Sequence, residues 1–221
     1  MTLLVKNNEP DIAMVGGGYF NFLFPEKSTI RITDIAHALS NVCRFAGHTR
    51  EFYSVAQHSV LCSLNCDQSV QYAALMHDIA EYVLGDVTRP LKQILGDYKA
   101  VEKKVEAFLL PYFGLPIVLP PQVKDIDMTM LATEKRDLMP EHTHEWLDIY
   151  QREPHPQKII PWCPELAYNR FMSRFNEVAP LNQKVDWVPK ILPNYGLEMT
   201  GLEEGAKAFA TKCHEEKRTN Q

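Results

Sequence analysis

A chain of 221 residues, 45% hydrophobic and 23% charged, can bury a substantial core without disulfides or a structural metal and fits one globular domain. Its net charge of −5 excludes a broad nucleic-acid face, which needs a basic surface, and still allows a small anionic ligand held by a few local cations. No segment approaches the roughly 20 apolar residues that cross a bilayer, and no signal peptide is visible.

Residues 1–18 read as irregular and end in Gly16-Gly17-Gly18. The lysine and Ser/Thr of a phosphate loop do not follow, so a turn is expected there. Tyr19 to Phe24 is aromatic and partly alternating, Pro25 to Ser28 is turn-like, and Thr29 to Ile32 alternates. Together these predict a small β-hairpin ahead of a helical body. Thr33 and Asp34 can open a first helix, with Ile35, Ala36, Leu39, Val42 and Cys43 at helical spacing, Arg44 and Phe45 at its end and Ala46-Gly47 as the stop. A second helix is expected over 54–65 and a third over 69–84, stopped by Gly85. A fourth starts near Pro90 and runs through Leu109, and a fifth follows Pro120-Pro121.

Beyond Pro140 the pattern turns irregular. His142, His144 and His155 lie in a proline-containing polar stretch that reads as a surface loop, with a second metal site as the sharper alternative. Residues 165–178 predict another helix, 180–199 a loop, and 202–215 a short terminal helix. The expected fold is mostly all-α with an N-terminal hairpin. Its parts are an extension over 1–32, a metal-binding core over 33–140, and a helical and loop region of the same domain over 141–221. The cysteines are Cys43, Cys62, Cys66, Cys163 and Cys213. An odd count without a tight framework implies reduced thiols and a cytoplasmic setting. Cys62 and Cys66, four apart, read as small hydrophobes in preference to a zinc pair.

The chemistry concentrates in His58, the adjacent His77-Asp78, and an acidic position at Asp125 or Asp127. Alone, His58 reads as a hydrogen-bonded core histidine. Asp78 sits in an otherwise apolar run, where a buried carboxylate is costly unless paired or metal-bound. Two imidazoles with two carboxylates form a mixed N/O set suited to a divalent first-row ion. Glu81, four residues after His77 and three after Asp78, shares their helix face and can handle a proton without being a ligand. Helix geometry alone leaves Asp125 and Asp127 both open. Glu134, seven residues on from Asp127, falls on the same side.

Five stretches occur in order: Arg44-Phe45, Ser54-Val-Ala-Gln-His58-Ser, His77-Asp78-Ile-Ala-Glu81, Gly85-Asp86-Val-Thr88-Arg-Pro90-Leu-Lys92, and Val123-Lys-Asp-Ile-Asp127. This series resembles the HD-domain phosphohydrolase superfamily over residues 30–140, and within it the small 5′-deoxynucleotidase branch. The resemblance implies an HD helical bundle and one divalent ion (Co, Mn, Zn, Ni or Mg) held by His58, His77, Asp78 and Asp127. It implies proton work at Glu81 and Asp86, and a nucleotide site lined by Arg44, Phe45, His48, Thr88, Pro90 and Lys92. Arg44 can offer a planar fork to phosphate; the plainer reading is a surface arginine at a helix C-terminus. The branch usually shows Arg-Trp where this chain has Arg44-Phe45. The block from Arg44 to Tyr53, with His48 and Arg50, is more similar to phage-encoded members, some of which cleave dATP to deoxyadenosine and triphosphate.

The expectation is therefore a deoxynucleotide phosphohydrolase, with dATP as the leading substrate and dNMP dephosphorylation as the alternative. An HD fold without activity, serving as nucleotide sensor or scaffold, is the reading of another class. The resemblance also implies a homo-oligomer, dimer or hexamer, a small-molecule nucleotide partner, and the host cytoplasm if the gene is phage-borne; neither nucleic acid nor membrane is an expected partner.

Overall fold

The computed structural model describes residues 9–141 and 146–191. Apart from one small hairpin, the regular structure among them is helical. The hairpin pairs β1 (Asp11–Ala13) antiparallel with β2 (Tyr19–Asn21), Ile12 opposite Phe20. It therefore sits one strand upstream of the expected one. Tyr19–Asn21 is a strand, but its partner precedes it, and Thr29 to Ile32 does not form the second strand. The reason is local. Gly17, at φ +82, closes the loop with its N–H on the Met14 carbonyl, while Pro25 starts a 3-10 turn, Pro25–Lys27, and Ile32 already opens a helix. A Cβ on Gly16 would stand 2.6 Å from an Asp34 carboxylate oxygen, so only glycine lets the loop approach that helix.

The first helix, α1 (Ile32–Asn41), ends three residues before Arg44, earlier than expected. Val42 turns extended, Cys43 bridges to Ser54, and the Arg44 N–H donates to the Tyr53 carbonyl. Arg44 is thus not a helix-terminal surface residue: it is buried and begins a separate turn, Arg44–Gly47. The second helix, α2 (Val55–Leu64), is capped by Ser54, whose Oγ accepts the Gln57 N–H at 3.2 Å. It is buried on all sides, the hallmark of a central helix.

The helix expected over 69–84 is interrupted. It comprises α3 (Gln71–Met76), a tightened stretch over His77 to Ala80, and α4 (Glu81–Leu84), ended by Gly85 at φ +74. The His77 ring takes the Ala74 carbonyl, the acceptor a continuous helix would give to the Asp78 N–H. The following amides reach back three residues, Ile79 to Met76 and Glu81 to Asp78. The helix expected from Pro90 to Leu109 also breaks, into α5 (Arg89–Lys92) and α6 (Tyr98–Tyr112), with Gly96-Asp97 between them. The last two long helices, α7 (Pro121–Leu138) and α8 (Pro164–Val178), match their expected positions closely, each with a proline in its first turn.

Helix α2 packs against α1, α3, α7 and α8. The main core gathers Ile35, Leu39, Val60, Leu75, Leu109, Phe171 and Phe175 around it. Polar groups on α2 are satisfied across long sequence distances. The Gln57 amide donates to the Ile160 carbonyl and accepts the Trp162 N–H, each at 2.8 Å, which pins the loop ahead of α8. Arg174 on α8 donates to both the hydroxyl and the carbonyl of Ser63, each at 2.9 Å. Arg136 and Thr133 on α7 hold the 155–157 segment, so His155 belongs to an anchored loop. His142, His144, Cys213 and the helix expected over 202–215 lie outside the described residues. No helix among the described residues is long and apolar enough to cross a membrane.

Arg174 closes the C-terminal end of α2 from a buried position. Arg174→Ala should destabilise the fold by about 2–3 kcal/mol, the scale of losing charge-assisted bonds to a buried carbonyl. Urea denaturation of both proteins measures this, and an unchanged midpoint would contradict the role.

Candidate metal centre

Two elements, the turn after α3 and helix α7, converge on the buried His58 ring of α2. Its Nε2 lies 3.3 Å from His77 Nε2, 3.3 Å from Asp127 Oδ1 and 3.6 Å from Asp78 Oδ2. His77 Nε2 is 3.1 Å from Asp78 Oδ2 and 3.9 Å from Asp127 Oδ1. The tightened turn after Met76 lets two consecutive side chains reach one point. The choice left open between Asp125 and Asp127 resolves in space: Asp127 faces the imidazoles, and Asp125 lies at the surface, paired with Arg152 at 2.8 Å.

The ring tautomers follow from the partners. His58 Nδ1 lies 2.6 Å from Glu134 Oε1, and His77 Nδ1 lies 2.8 Å from the Ala74 carbonyl. Both partners accept, so each Nδ1 carries a hydrogen and each neutral ring turns its Nε2 lone pair toward the other. Two lone pairs and two carboxylate oxygens face one another at distances that repel unless a cation or protons intervene. Donors about 2.1 Å from a common ion stand about 3.0–3.4 Å apart, close to the spacings found, so the donor set fits a divalent metal. Burial and Arg44 disfavour a charged His58, but Cys62, Glu134 and Asp127 outweigh them and hold its pKa well above the usual imidazole value. Burial likewise opposes ionisation of Asp78 and Asp127, and the imidazoles overcome it, so both carboxylates titrate below their usual range.

Two further groups were not assigned to the site from the sequence. Cys62 is fully buried on the next turn of α2, and its Sγ, His58 and His77 offer atoms within 4.8 Å of one another. Its sulfur lies 3.5 Å from His58 Nε2 and 4.0 Å from Nδ1, flanking the ring along its length, and burial pushes the thiol up to about 11. A neutral thiol is a poorer ligand than either ionised aspartate, so the oxygen set suits the ion better. Glu134 is fully buried and divides its oxygens between His58 and Arg44, the latter at 3.0 Å. The i,i+4 spacing of His58 and Cys62 and the seven-residue spacing of Asp127 and Glu134 were the available signals.

The remaining sequence candidates fall around this cluster. Glu81 is buried, and its Oε2 lacks a partner. Burial, then Asp78 and Asp86, hold its pKa well above the usual carboxylate range against the pull of Arg44 and Lys92. Asp86 accepts the Phe45 N–H at 3.1 Å and so anchors the Arg44–Gly47 turn, where Phe45 and Ala46 adopt left-handed backbone. Phe45 packs against Trp146, ring centres 5.8 Å apart. Thr88 precedes α5, Pro90 is exposed within it, and Lys92 pairs with Glu102 at 2.6 Å. His48 is exposed. Arg50 lines a cavity of about 680 Å³ outside α7, together with Lys135, Arg136 and Arg152; the histidine–aspartate cluster does not line it.

No protein-family model matches the chain. It is 43% identical to the uncharacterized protein YfdR of Escherichia coli (strain K12) over 174 residues, 78% of this chain and 97% of that one. The chain belongs to the YfdR family. An uncharacterized protein of Rhodobacter capsulatus is 38% identical over 121 residues, half of this chain and 62% of its own length. The YfdR alignment is long enough to take in most of the helical body described above.

Glu81 gives the centre a measurable pH signature. Its folded pKa is raised above the unfolded value of about 4.3, so its contribution to stability is fully present below that value. The contribution is lost as pH rises toward the folded pKa, because the unfolded chain releases the proton first. In EDTA, Glu81→Gln should flatten this decline, as followed by urea denaturation at stepped pH; parallel curves would refute a raised Glu81.

Proposed function

We propose that this chain is a metal-dependent phosphohydrolase of the HD type acting on deoxynucleotides, with dATP, split into deoxyadenosine and triphosphate, as the leading case. The observation that carries the reading is the convergence of His58, His77, Asp78 and Asp127 with both Nε2 lone pairs turned inward. A divalent ion supplies acidity toward water and a clamp for a phosphate oxygen. The four side chains would hold it. Glu81, whose pKa burial and the neighbouring Asp78 and Asp86 raise, is suited to give a proton to the leaving 5′-oxygen as water displaces it from phosphorus. Arg44 places a buried positive charge beside Asp78, 3.5 Å away, where phosphate charge would gather. Phe45 and Trp146 offer aromatic surface next to that arginine, suited to a base or sugar.

Asp78→Ala should remove bound divalent metal and hydrolysis together, whereas Asp125→Asn should leave both intact. Glu81→Ala should keep the metal and lower turnover by about 10²–10⁴-fold, the scale for a positioned acid or base. Metal analysis alongside single-substrate kinetics separates the cases, and parallel loss of metal in the Glu81 variant would make it a ligand instead.

The preference for a triphosphate over a monophosphate rests on the Arg44 to Tyr53 block with its added His48 and Arg50, since a triphosphate carries more charge for nearby cations to meet; the cavity that Arg50 lines is not lined by the cluster. A panel of dNMPs, dNTPs and rNTPs with resolved products tests this. Triphosphate released from dATP is expected. Replacing His48 and Arg50 together by alanine should weaken use of dATP more than of dAMP. Orthophosphate from dAMP with dATP untouched would make the chain a 5′-deoxynucleotidase, and no turnover with any member would favour the sensor or scaffold reading.

A further inference from the structure

We propose that Glu134 and Arg44 form an outer bracket that positions the two sides of the metal centre against each other, an inference that rests on the metal reading above. Four residues close a ring. His58 Nδ1–H donates to Glu134 Oε1 at 2.6 Å, and Arg44 reaches Glu134 Oε2 at 3.0 Å with one terminal nitrogen and Asp78 Oδ2 at 3.5 Å with the other. Asp78 Oδ2 returns to within 3.6 Å of His58 Nε2. The ring joins α2, the turn after α3, the strained turn before α2, and α7.

Each member holds the next by an obligation of burial. Glu134 is wholly buried, and a carboxylate there is tolerable only with both oxygens engaged by donors. Its hold on His58 Nδ1 fixes the tautomer and ring rotation that present Nε2 to the centre. Arg44 is more than nine-tenths buried, neutralises Glu134, and ties it to a carboxylate on the opposite side of the cluster. Both terminal nitrogens of Arg44 are thereby directed at protein carboxylates, and its Nε is buried with no partner. This is the arrangement of a positioning residue, and it differs from a guanidinium fork left open for substrate.

A purely structural ion pair and a positioning bracket differ in what replacement does. Apolar side chains of similar volume commonly replace a buried ion pair without loss of stability, but they cannot hold a ligand's tautomer or carry the link to Asp78. The double variant Arg44→Met with Glu134→Leu tests this, with Co²⁺ as the probe on the full-length, metal-stripped chain. Competition titration reads affinity, the visible absorption of the bound ion reads coordination, and circular dichroism with urea denaturation reads folding.

The expected result is a folded variant that binds Co²⁺ about 10–100-fold more weakly, the usual scale for outer partners of a metal ligand, with an altered spectrum. Wild-type affinity and spectrum in the folded double variant would overturn the bracket while leaving the metal centre standing. Should that variant not fold, Glu134→Gln decides. It keeps an acceptor for His58 but loses the charge that holds Arg44, so a folded protein with weakened affinity supports the bracket and unchanged affinity overturns it. Asp127→Asn runs alongside: a wild-type chain that takes up no Co²⁺, or an Asp127 variant that binds as well as wild type, would bring down the metal reading and the bracket with it.

Discussion

Helix α2 is buried on every side and still carries His58 at its middle. A polar ring in that position must be satisfied at both nitrogens, and its own helix cannot do it. One nitrogen is met by Glu134 from α7, and the other faces Asp127 from the same helix and His77 and Asp78 from the turn after α3. The long-range packing of α3 and α7 against α2 is therefore coupled to the electrostatics of a single imidazole. Displacing either helix would leave charged groups in the interior without partners, which costs several kcal/mol per ion.

Local backbone departures serve the same centre. The break after Met76 arises where the His77 ring takes a carbonyl from the helix, and it brings His77 and Asp78 to one point. Left-handed backbone at Phe45 and Ala46, costing of the order of 1–2 kcal/mol at each residue, lets Arg44 turn inward while Phe45 turns toward Trp146. Asp86 secures that turn through the Phe45 amide, which gives a structural reason for an acidic residue just past Gly85.

The charge distribution is equally local. In a chain of net charge −5, Arg44 lies inside the cluster, and Arg50, Lys135, Arg136 and Arg152 line the cavity outside α7. Several of these are already committed: Arg136 binds Asp137 and two loop carbonyls, and Arg152 binds Asp125. Much of the positive charge on this flank thus holds the loop after α7 in place, and a ligand there would compete with or add to those contacts.

The sequence by itself determined the helical class, the positions of α2, α7 and α8, and the candidates His58, His77, Asp78 and an acid at Asp125 or Asp127. Apolar periodicity and proline or serine at helix starts are local signals, and a histidine–aspartate pair in an apolar run announces a cost that must be met. Only the tertiary structure decided the rest. The hairpin register, the break between α3 and α4, and the gap between α5 and α6 depend on which carbonyl or glycine a distant or neighbouring group claims. Asp127 was separated from Asp125 by the direction α7 presents to α2, and Arg44 moved from an expected helix end to the interior by the Cys43–Ser54 bridge. Glu134 stands 76 residues from His58, and no periodicity within one helix can tell which buried acid a remote imidazole will meet.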